Sequence, residues 1–211
     1  MGNRLAAIIF RFVFAALGLV AVGVQLFAVT VPKGHSFVNF FSYFTNLSNI
    51  VIGVIFIVSA IRLIARRTPT TASVAIRGAA VVYIIFVGLV FNTLLRNTDL
   101  GDLIPWVNAV VHFIIPLAGL VDWLLWPPRL RLPFRVTFLW MIFPAAYSAY
   151  SLIRGAITGF YPYPFFNPAQ SGGYGGVALY CLAMLVGFFI LAFLIRLLGN
   201  VRKGARQELR G

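Results

Sequence analysis

A hydroxyl, an imidazole and several carboxamides recur at helical spacing in a chain that is otherwise apolar. The stretch FSYFTNLSNIV carries Thr45, Asn46, Ser48 and Asn49 within five residues, and the stretch NAVVHFIIPL sets Asn108 four residues before His112. A threonine hydroxyl is a weak nucleophile until a neighbouring base accepts its proton. Imidazole suits that task, because desolvation in hydrocarbon favours the neutral form a base requires. Carboxamides nearby can donate to the oxyanion that develops at an attacked carbonyl, where one donor contributes about 2.7–4 kcal/mol. These residue types could activate a hydroxyl together or bind a ligand's polar group, provided the fold brings them to one level.

The elements that must position them are membrane-spanning helices. Of 211 residues, 61% are hydrophobic and only 10% charged, against about 25% charged in a soluble domain. Six apolar runs, at about 4–31, 37–64, 74–95, 103–126, 134–154 and 174–198, each approach or exceed the roughly 20 residues needed to cross a bilayer. They use nearly the whole chain, so the expectation is one all-α domain, 1–211, a polytopic six-helix bundle. The first run is long for a signal peptide and lacks an Ala-x-Ala site after it, which predicts a retained helix.

Charge sets the expected orientation. With the N-terminus in the cytoplasm, Arg4, Arg11, Arg62, Arg66, Arg67, Arg77, Arg129, Arg131, Arg135, Arg196, Arg202, Lys203, Arg206 and Arg210 lie inside, and only Lys33, Arg96 and Arg154 outside. The positive-inside rule then predicts an N-in/C-in protein of the cell (inner) membrane, with both termini cytoplasmic. Anionic head groups account for the net charge of +13 better than nucleic acid does.

In the second run, Asn39, Ser42, Thr45, Asn46 and Asn49 fall in one wedge, continued by Gly53, with Ser48 off it. The fourth run repeats the pattern with Asn108, His112, Gly119 and Asp122. Pro116 there removes a hydrogen bond to the His112 carbonyl, which predicts a kink with that oxygen in need of a partner. At 1.5 Å per residue, Thr45 and His112 both lie on the order of 12–14 Å below the outer end. Gln25, Asn92, Tyr147 and Tyr150 fall within about 10 Å of their own outer ends by the same rise. The polar groups thus converge on one level, as a pocket open outward and closed below by apolar packing. Asn46, Asn49, Asn92, Asn108, Tyr147 and Tyr150 are its expected binding, oxyanion or orienting groups. Asp122, beside Trp123 and Trp126, is expected at the inner interface.

The loop Tyr161-Pro162-Tyr163-Pro164-Phe165-Phe166 reads either as an interfacial aromatic belt or as a stiff lid made by Tyr161, Tyr163 and Phe165. Two histidines with no acid at their level, and the single Cys181, predict no metal, and no cofactor is expected.

The stretches YFTNLSN (43–49), NAVVHFIIPL (108–117), DWLLWPP (122–128) and RGAITGFYPYPFF (154–166) together resemble the androgen-induced-protein family of small six-helix membrane proteins. Its vertebrate members are threonine hydrolases of fatty-acid esters of hydroxy fatty acids. The resemblance implies that Thr45 is the nucleophile and His112 the second essential residue. The implied partners are membrane lipids and a lipid-ester substrate, with no nucleic acid and no obligate protein partner. Two other readings of the pocket exist: a lipid or small-amphiphile binding or transport protein, and a purely structural bundle.

Overall fold

The computed structural model describes residues 2–98 and 102–208, with side chains described for 3–98 and 102–201. Among these residues there is no strand. Six helices are long and apolar enough to cross a membrane: Asn3–Thr30, Phe44–Ile64, Thr71–Leu95, Pro105–Leu125, Arg135–Thr158 and Gly173–Val201.

Several of these helices are not regular throughout. The first is α1 (Gly2–Gln25), continued by a π-helical turn at Leu26–Thr30. A short α2 (Phe37–Phe41) precedes α3 (Phe44–Ile64). The third is α4 (Thr71–Val90) with a π turn at Phe91–Leu95. The fourth comprises α5 (Pro105–Ala109), a π turn at Val110–Ile114 and α6 (Ile115–Leu125). The last two are α7 (Arg135–Thr158), which carries Pro144, and α8 (Gly173–Glu208). All three π turns lie at the same end of the bundle, the end that holds Thr45. The Thr71–Leu95 helix is the most buried of the six and touches α3, α6, α7 and α8.

The expected single helix over 37–64 is broken. Tyr43 adopts an extended conformation (φ −81°, ψ 124°) and caps the start of α3. A break inside an apolar span exposes carbonyl oxygens that must find donors. Here the Asn46 amide donates to the Phe40 carbonyl at 2.8 Å, and the Tyr147 hydroxyl donates to the Ser42 carbonyl at 2.8 Å. Side chains therefore sustain a break that has no glycine or proline within it.

Asp122 requires a correction. It is fully buried rather than interfacial, because two cations share its level. Arg11 of α1 donates to it at 2.7 Å through Nε, and Arg77 of α4 at 2.7 Å through Nη1. Arg77 also donates to the Trp126 carbonyl at 2.8 Å and lies over the Trp123 ring at 4.8 Å. Arg11 and Arg77, expected as flanking charges, are thus buried members of an ion cluster joining α1, α4 and α6. Other cross-links gather at the same end: Arg4 to the Ile64 carbonyl, Trp126 to Asn3, Trp123 to the Ile195 carbonyl and Trp140 to the Ala75 carbonyl.

Arg62, Arg66, Arg67, Arg129, Arg131, Arg135 and Arg196 flank the helix ends on this side, while Lys33, Arg96 and Arg154 lie at the Thr45 end. The side chains of Arg202, Lys203 and Arg206, and the whole of Arg210, lie outside what is described.

Candidate active site

Thr45 is the second residue of α3, so the helix break places both its hydroxyl and a helix-start N–H inside the bundle. His112 sits in the π turn that precedes Pro116. In that turn the Ile115 N–H reaches back five residues to the Val110 carbonyl. On this register a residue at 116 would donate to Val111, and proline has no N–H to give. The Asn49 amide answers that need, donating to the Val111 carbonyl at 3.3 Å and to the Thr45 carbonyl at 2.9 Å. The oxygen in need of a partner is therefore that of Val111 rather than that of His112, because the π turn shifts the register by one residue. The His112 carbonyl instead faces Gly88, where an added Cβ would stand 3.3 Å from it.

The His112 ring is held on three sides. Its Nδ1 donates to Asn108 Oδ1 at 2.6 Å, its face stacks on Phe91 at 3.8 Å, and its Nε2 meets Thr45 Oγ1 at 3.4 Å. Carboxamide oxygen only accepts, so Nδ1 carries the proton and Nε2 is the acceptor for the threonine hydroxyl; the proton positions follow from this network. At 3.4 Å the contact is long, as such contacts often are before substrate tightens them.

Tyr163 completes the group. Its hydroxyl lies 3.3 Å from Thr45 Oγ1, to which it donates, and its oxygen accepts the Thr45 N–H at 3.2 Å. Burial pushes the Tyr163 phenol up to about 12, so it remains a protonated donor at neutral pH. A continuous chain runs Asn108, His112, Thr45, Tyr163. No protein-family profile, curated protein or solved structure matches the chain.

The other expected residues separate into two groups. Asn46 and Asn49 are present at the site; both Asn49 N–H groups are engaged by backbone carbonyls, which leaves it none for an oxyanion, whereas Asn46 gives one to the Phe40 carbonyl. Asn108 orients His112. Tyr147 is buried and holds the helix break, while Tyr150 is exposed and its hydroxyl lies 3.0 Å from Ser42 Oγ. Asn92 is exposed, donates to its own helix at Gly88 and lines neither of the two cavities beside Thr45. Gln25 clamps the start of α5 through the Asp102 carbonyl and the Ile104 N–H. Of the expected lid residues, Tyr163 and Phe165 are buried and stacked on each other, a plug driven into the bundle rather than a cover. Tyr161 stays nearer the surface, packed against Gly155.

Two cavities flank the group. One, of about 460 Å³, lies among α4, α7 and α8 and is almost wholly apolar, with walls that include Phe86, Met141, Leu185 and Phe188. The other, of about 340 Å³, lies toward the bundle end and carries Gln25, Thr30, His35, Asn39, Asn46 and Asp102. Thr45 and Tyr163 line both.

Proposed function

We propose that the protein is a lipid-ester hydrolase of the cell membrane, with Thr45 as nucleophile and His112 as general base. The observation that carries this reading is the Asn108–His112–Thr45 chain, in which the base nitrogen facing the hydroxyl bears no proton. Thr45 Oγ attacks the ester carbonyl carbon while its proton passes to His112 Nε2. The carbonyl oxygen, entering between the Thr45 N–H and the Tyr163 hydroxyl, accepts from both as it becomes an oxyanion. The carbon–oxygen bond to the alcohol breaks, and the alcohol leaves with the proton from His112. Water then attacks the acyl-threonine, gives its proton to His112, and Thr45 Oγ leaves and takes that proton back. Asn108 fixes the tautomer of His112, the role a triad assigns to an aspartate. The resemblance to the androgen-induced-protein family points the same way.

The test is covalent. A long-chain alkyl fluorophosphonate labels the wild type at Thr45, and His112→Ala loses both labelling and turnover because the hydroxyl has lost its base. The apolar cavity of about 460 Å³ also suits a lipid held without chemistry. A wild type that neither labels nor hydrolyses esters, yet copurifies with lipid, makes the protein a carrier.

The same reading sets the Thr45 end toward the outer leaflet and the arginine-rich end in the cytoplasm. In a cysteine-less Cys181→Ala background, single cysteines at Arg66 and Arg131 should resist an impermeant maleimide added to intact cells, and one at Lys33 should react. Labelling at 66 or 131 reverses the orientation.

A further inference from the structure

The two cavities differ in chemistry and in where they open, and they share only Thr45 and Tyr163 as wall residues. The apolar cavity reaches the bundle flank between α7 and α8, where Ala145, Ala178, Leu182 and Leu185 combine cavity lining with outward exposure. In a membrane that flank faces hydrocarbon. The second cavity opens at the bundle end, beside the exposed Lys33–Asp102 pair at 2.7 Å and His35 at 3.6 Å from the same carboxylate. That end faces water.

Resting on the hydrolase reading, we infer that the substrate is a single-chain ester of a short, water-soluble polyhydroxy alcohol. It lies across the Thr45–Tyr163 partition, with its acyl chain in the apolar cavity and its alcohol in the polar one. A scissile bond reached by Thr45 must have one substituent on each side of the partition, because the nucleophile belongs to both walls. Hydrocarbon matches the lining of the flank cavity, whereas the Asn39 amide nitrogen and the Asn46 amide oxygen, with His35 and Asp102 at the mouth, offer hydrogen-bonding groups to hydroxyls. A long-chain alcohol would set a second chain against those polar groups and satisfy none of their remaining hydrogen-bonding capacity. Tyr163 must shift to admit the ester. The loop that carries it is bounded by Gly159 (φ 75°) and by Gly172 and Gly173 (φ 75° and 84°), left-handed positions where glycine turns without strain. After cleavage the two products leave by different routes: the fatty acid sideways into lipid and the alcohol into water.

The experiment uses the full-length protein in nanodiscs, with 1-monoacylglycerols from octanoyl to stearoyl, the matching methyl esters, and wax esters of the same acids. The wild type should prefer monoacylglycerols to wax esters. Ala178→Trp, which fills the apolar cavity, should lower kcat/KM for the palmitoyl ester relative to the octanoyl ester by about ten-fold or more. Val29→Trp, which fills the polar cavity, should lower it for glyceryl relative to methyl esters by about ten-fold or more, with acyl preference kept. Wax esters preferred by the wild type, or the two variants exchanging these effects, overturn the placement while the hydrolase reading stands. Equal turnover by wild type and Thr45→Ala removes Thr45 as the nucleophile, and this inference with it, whereas a wild type that turns over none of these esters removes the hydrolase reading itself.

Discussion

Replacing Thr45 by alanine should abolish ester turnover and phosphonate labelling together. Removing a nucleophile from a hydrolytic unit of this kind costs on the order of 10⁶-fold in rate, about 8 kcal/mol of activation free energy. The fold should survive, because among the described residues Thr45 Oγ1 hydrogen-bonds only His112 and Tyr163, and the backbone N–H that Tyr163 accepts from remains. Thr45→Ser keeps a hydroxyl on the same backbone and should retain measurable activity. The decisive readout is single-turnover hydrolysis with mass spectrometry of the acyl adduct. Unchanged turnover by Thr45→Ala would transfer the nucleophile elsewhere, and an adduct on another residue would say where.

At the opposite end, Asp122→Ala should be the most destabilising single change. It leaves the Arg11 and Arg77 guanidinium groups buried without their common counter-ion. Breaking a buried pair by removing one partner costs about 3–5 kcal/mol. Replacing the whole cluster by apolar groups is often neutral or stabilising, so the triple variant Arg11→Met, Arg77→Met, Asp122→Leu should recover most of that loss. Thermal unfolding in detergent, monitored beside ester turnover, separates the two roles. If Asp122→Ala melts with the wild type, the cluster does not hold the bundle. If the triple variant is stable yet inactive, the cluster serves the chemistry as well.

The two stretches of sequence differ in how openly they declared this arrangement. Six helices were legible because hydrocarbon leaves a chain few alternatives, and apolar length is a direct signal. The encounter of Thr45 with His112 was legible because rise per residue converts position into depth. At the opposite end the same arithmetic does not pair Asp122 with Arg11 and Arg77, because the first lies about one turn from its helix end and the arginines about two and a half and nearly two from theirs. The helix break at Ser42–Tyr43 carries no glycine or proline to announce it: one carbonyl is satisfied by the nearby Asn46 and the other by Tyr147, 105 residues away. The engagement of Asn49 was hidden for the same reason, since its amide is committed to a carbonyl freed by a proline on another helix. Tyr163 was visible as an aromatic in a stiff loop, but the direction in which that loop turns is a tertiary fact.

Distribution of the cross-links has a mechanical consequence. Ion pairs and indole hydrogen bonds tie the helices at the Asp122 end, whereas α7 and α8 are separated by the apolar cavity near the other. A bundle held this way behaves as a set of levers with a common fulcrum. A small tilt about the clamped end grows with distance along the helix, so the widest excursion falls at the flank between α7 and α8. Trp123, bonded to α8, and Trp140, which bonds α7 to α4, hold these helices far from Thr45, so the seam between α7 and α8 is the one through which a fatty chain would enter.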